Sequence, residues 1–185
     1  VKHMKKDRRT RLITGGAVVA LGLAGVGAYS ASAGGGRAAA PAAAAGAKSG
    51  NTASVSRLTV AAATEAAGAA LEAAEKENQR VTVAVVDRDG RAVVTLRGDG
   101  AGPQSYESAI RKAYTAVSWN APTSVLAGRL AQTPNLKDIP GTLFLGGGAP
   151  VTADGAPVAG IGVAGAPSGD LDEEFARAGV AALAQ

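Results

Sequence analysis

Four residues with binding or reactive side chains recur at helical spacing near the middle of the chain. Ser108, Lys112, Thr115 and Trp119 step by four, three and four. That spacing puts a hydroxyl, a cation, a second hydroxyl and a large ring on one helix face. The Gly-rich stretch 98–102 just before this helix offers free backbone amides at its N-terminus, which favours an anion such as a carboxylate. Arg111 and Lys112 are alternative seats for the same group. The stripe also fits an ordinary amphipathic helix, with Glu107 paired to Arg111 at i,i+4 and Trp119 anchoring a core.

Carboxylates cluster in two places. Glu72 and Glu75 stand at i and i+3, with Glu77 nearby, and can hold a hard metal ion at an exposed site. The plainer alternative is a solvated face on which Glu72 meets Lys76. Asp170-Leu171-Asp172-Glu173-Glu174 opens the last helix. Asp170 and Glu173 have capping-box spacing, and acids are stabilised at a helix start. The chemical alternative there is an iron site shared with another acidic group. Gly146-Gly147-Gly148 lacks the Lys-Ser/Thr of a phosphate loop, so it is expected to be a strand end or a sharp turn.

The wider composition limits what these groups can do. The chain has 185 residues and a formal net charge of +4, but that charge is not spread evenly. Lys2, Lys5, Lys6, Arg8, Arg9 and Arg11 face only Asp7, whereas the other 13 basic residues face 14 acidic ones. The basicity is therefore no sign of a nucleic-acid face. The basic stretch, the mildly apolar run 12–29 and Ala31-Ser32-Ala33 read as an export signal cleaved after Ala33, with Arg8-Arg9 a loose twin-arginine match. The run is too short and Gly-rich for a membrane span, so a secreted product without stable membrane insertion is expected. Residues 34–185 contain no His, Cys or Met. Cysteine nucleophiles, histidine bases, Cys/His zinc sites and His- or Met-ligated haem are excluded there. Any metal must be met by oxygen, or by Lys or Tyr, a donor set that suits Fe, Mg, Ca or Mn.

Residues 34–53 read as a flexible Gly/Ala-rich linker, and 54–185 as one domain. Ser54 or Ser56 is expected to cap a helix over 57–78, in which Gly68 marks a close packing contact. Two β-branched runs, 81–87 and 91–96, flank Asp89-Gly90 as a hairpin. Helices are expected over 105–119, 123–130 and 170–184, and short strands over 142–145, 150–152 and 158–163. The result is an α+β fold, an antiparallel sheet with helices packed on its faces.

The motifs 84–90 (Ala-Val-Val-Asp-Arg-Asp-Gly), 98–101 (Gly-Asp-Gly-Ala), 111–116 (Arg-Lys-Ala-Tyr-Thr-Ala), 121–123 (Ala-Pro-Thr), 146–151 (Gly-Gly-Gly-Ala-Pro-Val) and 158–166, followed by the helix from Asp170 to Leu183, fall in a familiar order. Together they resemble the GlcG/HbpS family, also called the haem-degrading domain family, across nearly all of the folded unit. The resemblance implies a profilin-like sandwich with a five-stranded antiparallel sheet and a homo-oligomer, in the best-known case an octamer. It also implies haem binding, iron binding at the surface acidic motifs (Glu72 with Glu75, Asp170 with Glu173), and a sensor histidine kinase ectodomain as redox-signalling partner. The family's Lys-Ala-x-Thr-Ala pattern is matched by 112–116. Some relatives use a His near this helix; with none here, the resemblance points to Thr115 as iron ligand, with Tyr114 as rival. Lys112 and Arg111 would hold propionates, and Ser108 shares their face. Binding is favoured over turnover. The alternatives are a haem-degrading or ferrous-iron-oxidising enzyme, or a corrinoid-binding member of the family.

Overall fold

Helix α1 (Val60–Lys76) begins later than the serines suggest. Thr59 is its cap, accepting a hydrogen bond from the Ala62 amide at 3.2 Å. Arg57 is drawn away to the β-hairpin turn, where it pairs with Asp87 at 3.2 Å and with Asp89. The computed structural model describes residues 45–184. The expected export signal and residues 34–44 of the expected linker lie outside the described residues. No described helix is long and apolar enough to cross a membrane. Along α1, Ala63, Ala66, Ala67, Ala70 and Ala74 are fully buried, a three-four spacing that gives one apolar face. A Cβ at Gly68 would meet nothing within 4 Å, so this glycine does not make the close contact expected of it.

Strands β1 (Thr82–Asp87) and β2 (Ala92–Arg97) form the expected hairpin. Asp87 Oδ1 accepts the amides of Asp89 and Arg91, each at 2.9 Å, and Gly90 takes φ 81°, the left-handed region a tight hairpin requires. After α2 (Pro103–Trp119) and α3 (Thr123–Gly128), strands β3 (Gly148–Ala153) and β4 (Ala156–Ala164) and helix α4 (Gly169–Ala182) complete the unit. The strand order is β2-β1-β4-β3, with every neighbouring pair antiparallel.

The described sheet has four strands. Residues 142–145, expected as a fifth, make no ladder, because helix α2 side chains take up their backbone groups. Arg111 Nη2 donates to the Thr142 carbonyl at 2.7 Å, and the Leu143 amide donates to Thr115 Oγ1 at 2.8 Å.

β1 is buried continuously from Thr82 to Val86, because helices cover both faces of the sheet. Val81, Val83, Val85, Ile161 and Val163 join the α1 alanines, Phe175 and Ala176 in the main core. On the opposite face Ala84 meets Ala109, and Val86 meets Ala113 and Val117 of α2. β4 presents glycine to α2. A Cβ at Gly160 would stand 2.2 Å from the Ala113 carbonyl oxygen, and one at Gly162 only 2.1 Å from that of Ala109. The backbone of α2 therefore lies directly on the sheet, which fixes where its side chains can reach.

Candidate functional site

Lys112 sits among Ala109, Ala113 and Ala116 on the buried face of α2, a position that demands a counter-charge. Its side chain runs past the end of β4 to helix α4 on the other face of the sheet. Nζ donates to Asp172 Oδ2 at 2.7 Å and to the Val163 carbonyl at 3.0 Å. The two side chains are 3% and 4% exposed, so the pair is shielded from solvent and salt. The Ala166 amide donates to Asp172 Oδ1 at 3.0 Å. Burial nevertheless outweighs the Lys112 bond and holds the Asp172 carboxyl above the usual carboxylate range. Sequence reasoning placed Lys112 on a ligand-binding stripe and passed over Asp172. The missed signal was a lysine on an alanine face, which needs a buried acid somewhere in the chain.

The three consecutive glycines seat this pair. Gly147 has φ 123°, and a Cβ there would stand 2.7 Å from Lys112 Nζ and 2.9 Å from Asp172 Cβ. A Cβ at Gly146 would stand 2.9 Å from the backbone of Gly169, and one at Gly148 2.5 Å from the Lys112 carbonyl oxygen. The segment is a close-packed crossing that leads into β3 at Gly148, the strand end expected of it. Glu173 is buried next to it. Its carboxylate accepts from the Ser124 amide at 2.9 Å, the Ser124 hydroxyl at 2.7 Å, the Gly147 amide at 3.4 Å and Arg177 at 2.5 Å. Glu173 thus satisfies the start of α3 from a distant helix, and its oxygens are taken.

The capping-box expectation for Asp170 and Glu173 does not hold. Ser168 is the cap of α4, accepting from the Leu171 amide at 3.2 Å. Asp170 is exposed while Glu173 points inward, so the two do not form one site. Glu72 is exposed and pairs with Lys76 at 2.7 Å, which lowers its carboxyl below the usual range. Glu75 is exposed on the same helix and lines a shallow cleft with Asn78, Arg80 and Asp99. Among the described residues no group of three or more Asp and Glu side chains converges as a metal cage.

The remaining stripe residues face two surroundings. Ser108 is half-buried and lines an open cleft of about 270 Å³ with Gln104, Leu145, the 164–169 loop and the Lys112–Asp172 floor. Arg111, Tyr114, Thr115 and Trp119 instead lie under residues 139–145. Thr115 is fully buried, and its hydroxyl donates to the Arg111 carbonyl at 2.7 Å while accepting the Leu143 amide. Trp119 packs edge-to-face on Phe144, with ring centroids 5.2 Å apart. The Tyr114 ring lies against Gly90 on one side and Gly141 on the other. Arg111 bonds to Thr142 and makes no ion pair with Glu107.

The chain matches the family described as haem degrading protein HbpS-like over residues 58–181. A crystal structure of Streptomyces reticuli HbpS, a double mutant with two glutamates three positions apart changed to aspartate, is 72% identical; the match covers 76% of this chain and 97% of that chain with a TM-score of 0.75. Another crystal structure of HbpS is 73% identical, covering 74% of this chain and 97% of that chain with a TM-score of 0.74. A crystallised PduOC:haem complex is 28% identical, covering 69% of this chain and 95% of that chain with a TM-score of 0.63. No curated protein matches the chain. Sequence, fold and these likenesses agree: the chain belongs to the HbpS-like family of haem degrading proteins.

Proposed function

We propose that this protein binds haem, and that it does so outside the cell as an accessory to a sensor histidine kinase rather than as a haem-degrading enzyme. The observation that carries the haem reading is family membership together with a relative crystallised as a haem complex. Bound haem would supply a redox-active iron; the protein's part is to hold and orient it.

The donor set fits only a weakly held haem. Residues 34–185 offer iron no His, Cys or Met, so Thr115 or the rival Tyr114 is the proposed ligand on α2. The cleft beside Ser108, at about 270 Å³, falls below the roughly 300–1,000 Å³ of pockets that enclose a drug-sized ligand. That cleft therefore does not enclose a porphyrin, and haem is proposed to lie on an open surface or between copies. Exposed Tyr106, Val125 and Leu145, 47%, 57% and 52% accessible, supply apolar area for such contacts. Arg111 is the proposed propionate partner. Lys112 cannot be a free one, since its charge is neutralised by Asp172.

Iron is proposed to bind at Glu72 and Glu75, the only Glu-x-x-Glu in the chain and exposed on α1. The same spacing is the one altered in the crystallised S. reticuli mutant. Replacing both by Gln is expected to lower ferrous- or ferric-ion binding in equilibrium dialysis while leaving the far-ultraviolet spectrum unchanged. Retained binding in the double variant would move the iron site elsewhere. For haem, titration with haemin is expected to give a Soret band distinct from free haemin, weakened in Thr115→Val. Loss of intact tetrapyrrole on incubation with a reductant would instead favour the enzyme.

A further inference from the structure

Most of the residues that mark α2 as a ligand face are covered by one segment of the chain itself. Residues 139–145 cross the C-terminal half of α2 without joining the sheet. They are held by the Arg111–Thr142 bond at 2.7 Å, the Leu143–Thr115 bond at 2.8 Å and the edge-to-face contact of Phe144 with Trp119. The turn at their start is tied by the Thr142 hydroxyl to the Ile139 carbonyl at 2.7 Å. On the N-terminal side the chain is barely anchored. From Arg129 to Gly141 only Leu130 and Leu136 are partly buried and every other residue is exposed. Gly141 within the segment and Gly147 just beyond it, with φ 80° and 123°, hold backbone that few other residues adopt. Its end residues, Ile139 and Leu145, are 40% and 52% exposed. Thr142 and Phe144 are the buried side chains of the segment, and it makes no ladder bonds, so it has fewer ties than the strands and helices around it.

We propose that residues 139–145 form a displaceable strap that gates haem access to Thr115 and the α2 face beneath it. The inference rests on the haem-binding reading above and adds its regulation. In the closed state the Thr115 hydroxyl is shut off from solvent: the residue is fully buried, its oxygen accepts the Leu143 amide and its proton goes to the Arg111 carbonyl. Haem reaches that oxygen only when Leu143 lets go. The apparent dissociation constant is then the intrinsic one divided by the open fraction. Loosening the strap tightens binding, although no contact with haem has been added.

The test is a haemin titration and amide hydrogen exchange on the full chain, comparing the native protein with Phe144→Ala and Thr142→Val. Phe144→Ala removes the ring contact. Thr142→Val keeps the buried volume and removes only the turn bond, so it preserves the test if the first variant folds poorly. Exchange over 139–145 in the absence of haemin is expected to rise in both, and the haemin dissociation constant to fall by at least about five-fold. Adding Thr115→Val is expected to abolish that gain. Faster exchange with unchanged haemin affinity would overturn the strap while leaving haem binding intact. A free-haemin Soret band in the native protein and every variant would overturn the haem reading itself.

Discussion

Lys112 and Asp172 show how a single buried pair ties the two helix layers together. α2 lies on one face of the sheet and α4 on the other, and their only described ion pair passes around the end of β4. Removing one partner leaves a buried unpaired charge, which typically costs about 3–5 kcal/mol. Lys112→Met is therefore expected to lower the urea midpoint sharply, and Lys112→Met with Asp172→Leu to recover part of the loss. A double variant no better than the single one would contradict a dominant electrostatic role. Asp172 also sets a pH dependence. A carboxyl whose folded pKa lies above its unfolded value stabilises the fold fully below the unfolded pKa and loses that contribution as pH rises through the folded one. The stability advantage of the native protein over Asp172→Asn is expected to be largest at acid pH and to shrink on approach to neutrality. Chemical denaturation across that range measures it directly. None of this pair was legible from spacing, because Asp172 is 60 residues away in the chain and sits in an acidic run that also fits a helix start.

At the scale of elements, the glycines separate into those that seat a neighbour and those that do not. Gly162 holds α2 against β4, and a methyl there would overlap the Ala109 carbonyl. Gly162→Ala is expected to cost about 1–3 kcal/mol or more, since overpacking must push a helix backbone. Gly68 faces open space within α1, so Gly68→Ala is expected to stabilise by about 1 kcal/mol through helix propensity alone. Thermal melts of the two variants should move in opposite directions. The hairpin and most of α2 were visible in the sequence because local chemistry specifies them: Asp89-Gly90 between two β-branched runs, and the helical spacing from Ser108 to Trp119. Residues 142–145 were misassigned as a strand because their β-forming composition is used for packing against α2, a choice made by tertiary bonds from Arg111 and Thr115. The start of α1 was misplaced for a similar reason, Arg57 being held by the distant Asp87 and Asp89.

For the whole molecule, the absence of His, Cys and Met from residues 34–185 shapes the proposed function more than any one residue does. It leaves iron with oxygen ligands, and it makes a weak, reversible haem complex the expected form. The open cleft and the exposed apolar side chains favour sharing that haem between copies of the chain. Assembly state and haem load are then linked quantities, and native mass spectrometry combined with the visible spectrum reads both. On addition of haemin, the account predicts an oligomer whose mass rises in whole haem increments, with a Soret band unlike that of free haemin. An unchanged mass and the spectrum of free haemin would contradict it.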